Sequence, residues 1–141
     1  MMAARQIRTR PEDRSAACEY LKKAEENYEE MLTAVQAQRY NAAATLAVQC
    51  AISSADAVCV FEKGMRSISQ DHYDVCDLVS SLSIAESSEK SRLLKRIIAR
   101  KNLVQYERRN IHGDEALEMV KTTTRLYQWV KSCISPPAIQ S

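Results

Sequence analysis

Apolar side chains along this chain return at steps of three and four, the spacing that places them on one face of an α-helix. Ala17, Leu21, Ala24, Tyr28, Met31 and Val35 form one such stripe. Lys22, Lys23, Glu25, Glu26, Glu29 and Glu30 fall on the other side and read as a solvated face. Upstream, Thr9-x-x-Glu12 has the form of a capping box, with Pro11 and Asp13 suited to a first turn, so this helix is expected to start near Thr9. From about Tyr40 to Lys63 the chain is apolar on nearly every side, which predicts a central, buried helix ended by Gly64. Asp71 is placed to cap a short helix over HYDVCDLVSSL. Serines between Ser80 and Ser91 mark the next turn, and another long helix is expected from about residue 88 to 109, where NIHGD breaks it. A last stripe, Ala116, Val120, Thr123, Tyr127, Val130 and Ile134, follows Gly113 and Asp114 and is stopped by Pro136 and Pro137.

These elements predict an all-α fold: an up-and-down bundle of four main helices plus one short helix over residues 9–135. Residues 1–8 and 136–141 are expected to be flexible ends. A chain of 141 residues, 45% of them hydrophobic, has room for one core and one domain. Two glycines and three prolines are too few for strands joined by tight turns. Twenty basic residues against 18 acidic ones give a net charge of +2, so any binding of nucleic acid has to come from a local patch. Five cysteines without a CxxC pair argue against a disulfide framework and point to a reducing, cytoplasmic setting. No apolar run is expected to cross a membrane, and the opening MMAARQIRTRPED lacks the apolar segment of a secretory signal.

Two polar features stand out against apolar surroundings. Thr45, Gln49, Ser53 and Asp56 form a narrow stripe on the helix over 40–63, and a carboxylate there is costly to bury without a cation, a donor or water. In RKNLVQY, Lys101 occupies the stripe otherwise made by Leu94, Ile97 and Val104. The expectation is that Asp56 and Lys101 face each other across a cleft between these two helices, flanked by Asn102 and Tyr106. The competing expectation is that Lys101 lays its stem on apolar surface and sends its ammonium into water. Arg92, Arg96 and Arg100 step by four and form a basic ridge suited to phosphate, or else a solvated face balanced by the acids of the first helix. Lys63 and Arg66 add two cations after the second helix. His72 and Cys76 share a helical face, but a single pair without further ligands does not make a zinc site, so no metal and no cofactor is expected.

A helical bundle carrying Lys101-Asn102 and then Tyr106 at the start of KNLVQYERRNIHGDEALEMVKTTTRLYQWV resembles the last two helices of the HEPN superfamily. The segment ISSADAVCVFEKGMRSISQDH, with Asp56 and His72, is similar to a HEPN subgroup. The resemblance covers most of residues 13–134. It implies a cleft usually completed by a second subunit, hence a homodimer, and in active members a metal-independent ribonuclease built on an Arg and a His. Here Lys101 stands for the Arg and Tyr106 for the His. A phenol of pKa about 10 is a poor proton shuttle at neutral pH, and lysine lacks the planar fork that grips phosphate. The expected function is therefore binding of RNA or a nucleotide through Arg100, Lys101, Asn102 and Tyr106, with Asp56 as counter-charge and without catalysis. One alternative is a ribonuclease toxin using Arg109 and His112 in RRNIH. Another is a structural adaptor whose first helix packs against a partner helix. The resemblance further implies a place in a toxin-antitoxin or defence system, with a nucleotidyltransferase-type antitoxin as partner.

Overall fold

The computed structural model describes residues 6–134. Six helices run in chain order: α1 (Ala17–Gln36), α2 (Tyr40–Lys63), α3 (Tyr73–Ser80), α4 (Ser87–Ala99), α5 (Lys101–Tyr106) and α6 (Gly113–Ile134). Two short strands, β1 (Thr9–Pro11) and β2 (Met65–Ser67), pair antiparallel with Arg10 opposite Arg66. The fold is all-α with four long helices, as the periodicity predicts.

The core is built around α2. Ala43, Ala44, Ala47, Ala51, Ala55 and Ala57 are fully buried, and side chains this small let neighbouring helices come close. Met31, Leu94, Ile97 and Leu126, also fully buried, fill the space between. α1 and α6 pack most extensively on α2, and α3, α4 and α5 touch it as well. By length and composition α2 is apolar enough to cross a membrane, contrary to the sequence expectation; 67% of its most apolar window is buried inside the bundle, the position of a core helix. Gly64 ends it with a left-handed φ of 66°, its N–H donating to the Val60 carbonyl. The α1–α2 turn uses the same device without glycine. Gln38 adopts φ 60°, its N–H donates to Val35 O, and Arg39 N–H donates to Ala34 O.

Three boundaries differ from expectation. The first helix does not begin at Thr9, because residues 9–11 are extended and paired to β2. Glu12 reaches Arg10 and Tyr20 instead of completing a capping box, and Asp13 Oδ1 caps a short 3-10 turn (Arg14–Ala16) by accepting from Ser15 N–H. The N-terminal segment expected to be flexible is tied from residue 7 on: Ile7 packs on the core and Arg8 O accepts from Ile68 N–H. The helix expected over 88–109 is interrupted at Arg100, whose N–H bonds three residues back to Ile97 O, so α5 starts a new helical segment at Lys101. Residues 1–5 and 135–141, including Pro136 and Pro137, lie outside the described part. The N-cap of α3 is His72 and not Asp71, which from one residue upstream still accepts from Tyr73 N–H through its Oδ1, and α6 starts at Gly113 as read from the sequence.

Leu94, fully buried against α2, is expected to lose about 2–5 kcal/mol of stability on Leu94→Ala. Gly64→Ala is expected to cost about 1–2 kcal/mol through backbone strain alone, since a Cβ there meets nothing closer than 3.6 Å. Urea unfolding of the two variants checks both values.

Candidate nucleic-acid interface

The polar stripe of α2 ends at Asp56, which is 7% exposed. Its partner is Arg66 of β2, whose Nη1 donates to Asp56 Oδ2 at 3.4 Å. The expected Asp56–Lys101 pair is thus not formed. The pairing of β2 with β1 sets Arg66 beside α2, whereas the break at Arg100 carries Lys101 elsewhere. Arg66 also lies 5.5 Å from the Tyr20 ring centroid and 3.8 Å from Glu12. Its Nε is buried without a hydrogen-bond partner among the described residues. Burial pushes the Asp56 carboxyl up to about 6, with Arg66 and Lys23 pulling the other way. Two adjoining clefts open on this pair. One, of about 410 Å³, is lined by Tyr20, Lys23, Gln49 and Ser53; the other, of about 210 Å³, runs past Ser67 and Ser69 to His72.

Lys101 sits half-buried at the first position of α5, its ammonium 5.9 Å from the Tyr106 ring centroid. The competing expectation therefore describes it better: the stem lies on the bundle and the charge reaches its rim. Together with Asn102 it lines a cleft of about 210 Å³ against Gln70, His72 and Tyr73 at the start of α3. Burial and the nearby Lys101 charge both hold the His72 imidazole below its ordinary pKa, which keeps it neutral at pH 7. Tyr106, 75% exposed, does not line this cleft.

Arg100, Arg109 and His112 converge on Glu115. Arg100 Nη1 donates to its carboxylate at 2.9 Å, Arg109 grips it with two bonds of 2.7 and 2.9 Å, and His112 N–H donates at 2.9 Å. Glu115 is the third residue of α6 and reaches back to the residue before the helix, half of a capping box. Its carboxyl is pulled down to about 2, chiefly by Arg109. Arg100 is therefore tied to α6, and the His112 ring is exposed at the helix end. Arg96 likewise pairs with Glu118, so Arg100 and Arg96 are balanced by acids of α6 instead of the first helix, and both Arg92 and Arg96 are exposed. Lys63 donates to Ser81 Oγ, away from Asp56.

Of the sequence-derived set, Lys101 and Asn102 share a cleft, Asp56 lies in the neighbouring one, and Arg100 belongs to the Glu115 cluster. Glu115 was missed, and Arg66 and His72 were named but not placed beside Asp56 and Lys101. Glu115 was recoverable from the His112-x-x-Glu115 spacing at a helix start. Arg66 and His72 carried no signal linking them to Asp56 and Lys101, because only chain packing sets them there. Cys50, Cys59 and Cys76 are buried, with thiols raised by burial, while Cys18 is exposed. His72 and Cys76 gain no further ligand; among the described residues no group of three could hold a metal ion.

The profile of the HEPN domain family matches residues 17–133, well over half of the chain and all six helices but the last residue of α6. Comparison with curated proteins gives no match.

The raised Asp56 value sets a pH dependence. A carboxyl whose folded pKa lies above the unfolded one contributes stability that is complete below about pH 4 and lost as pH rises through about 6. Asp56→Asn is expected to be more stable than the parent by about 1–3 kcal/mol at pH 7, with the gap closing toward pH 4 in chemical unfolding. Equal slopes for both proteins would contradict the burial of that charge. Lys101→Met, by contrast, is expected to change stability by less than about 0.5 kcal/mol, since it breaks no buried pair.

Proposed function

Since this chain belongs to the HEPN domain family, we propose that it binds nucleic acid or a nucleotide at the Lys101–Asn102 cleft and does not cleave it. The observation that carries the reading is the meeting of Lys101, Asn102, Gln70 and His72 around one opening at the α3–α5 junction. A cation, two amides and a neutral imidazole supply a phosphate contact and a mixed donor and acceptor edge for a base. The exposed Tyr73 ring at the rim offers a stacking surface.

The absence of cleavage rests on the Glu115 cluster. Arg109 is neutralised by a bidentate carboxylate, and a guanidinium already matched in this way has little charge left for a transition-state phosphate. Tyr106 is exposed and outside the cleft, so it does not take the place of a catalytic histidine. A second copy of the chain, as the family resemblance implies, would cover that ring and complete the opening from the α5 side. A nucleotidyltransferase-type antitoxin in a toxin-antitoxin or defence system is the partner class this reading fits.

Fluorescence anisotropy with a labelled oligoribonucleotide tests it. Lys101→Gln is expected to weaken binding about tenfold and to flatten its salt dependence by about one phosphate contact. His112→Ala is expected to leave affinity unchanged, and RNA incubated with the protein in chelator is expected to stay intact. Cleavage that disappears in His112→Ala would overturn the non-catalytic reading.

A further inference from the structure

The three clefts described above share walls. Asp56, Arg66 and Ile52 line both openings beside β2, and His72 lines both the second of these and the Lys101 cleft. They therefore form one track, from Lys23 and Tyr20 on α1, past Arg66 and the Ser67–Ser69 segment, to His72, Tyr73 and Lys101. Its cations are contributed by three separate elements, α1, β2 and α5, and an aromatic ring stands near each end.

We propose that this track binds an extended single strand of nucleic acid, with Lys101 and Arg66–Lys23 contacting different phosphates of the same strand. The proposal rests on the function proposed above and adds the ligand's length and path. Arg66 has capacity for it. Its contacts to Asp56 and Glu12 are long, at 3.4 and 3.8 Å, so a phosphate can compete for the guanidinium. Lys23 is exposed and is held by a ring contact to Tyr20, 5.8 Å from the centroid. Between the two ends, Ser67 Oγ and Ser69 Oγ each accept from a backbone N–H, which leaves both hydroxyl protons free to donate outward. A mononucleotide would fill one cleft; only a chain with repeating phosphates and stackable bases uses cations and rings placed along a track. A duplex presents its bases inward and gains nothing from the exposed Tyr73 ring.

The test uses Lys23→Gln, an exposed change on α1 that leaves the core intact, beside Lys101→Gln, with labelled single strands of about two, four and eight nucleotides. In the parent protein, affinity is expected to rise with length. Lys23→Gln is expected to weaken the longest strand about five- to tenfold, lower its salt slope by about 0.7, and leave the shortest unaffected. Matched deoxyribose and ribose strands report whether the sugar is read. If Lys101→Gln abolishes binding while Lys23→Gln is silent and length has no effect, the track is wrong and the single cleft stands. If no strand binds and neither change matters, both readings fall.

Discussion

Six alanines of α2 expose no surface, and this smallness sets the distances in the rest of the molecule. Where these alanines sit, the neighbours approach until their own larger side chains, Met31, Leu94, Ile97 and Leu126 among them, close the gaps. The polar exceptions on such a helix become conspicuous. Thr123 of α6 sends its hydroxyl to the Ala47 carbonyl at 3.4 Å, and Asp56 meets a guanidinium from outside the bundle.

That guanidinium ties the small sheet to the bundle. Arg66 stands on β2 opposite Arg10 of β1, and it touches Asp56, Glu12 and the Tyr20 ring at once. The N-terminal strand, α1 and α2 are thus linked through one side chain whose hydrogen-bonding capacity is only partly used. A buried carboxyl raised to about 6 beside it marks a position where the fold tolerates electrostatic cost. A group kept at such a cost beside open clefts is a candidate for binding, and Asp56 lines two adjoining ones.

Charge at the start of α6 is used differently. Glu115 gathers Arg100, Arg109 and the amide of His112, which ties the α5–α6 connection to the start of α6. The residues that look most like ribonuclease machinery in the sequence therefore serve the start of α6. The residues that line openings, Lys101, Asn102, His72 and Arg66, are drawn from three different segments.

The chain's periodicity determined the long helices by itself. Hydrophobic stripes on α1 and α6, the all-round apolar character of α2, its glycine stop and the Asp71 bond to Tyr73 N–H are local properties, readable wherever residues three and four apart share a face. The family likeness was legible too, since order and spacing survive in one dimension, and the HEPN match over residues 17–133 agrees with it. Tertiary structure decided what the polar residues face. Thr9-x-x-Glu12 has the form of a helix start, yet pairing with β2 draws it into a strand, a contact between segments more than fifty residues apart. Lys101 seemed to continue the stripe of Leu94 and Ile97 until the interruption at Arg100, where an ion pair to Glu115 of another helix is made. Asp56 needed a cation, and its own helix states that need; that Arg66 supplies it follows only once the strand is laid beside α2, because electrostatic partners are chosen by distance in space and not by separation along the chain.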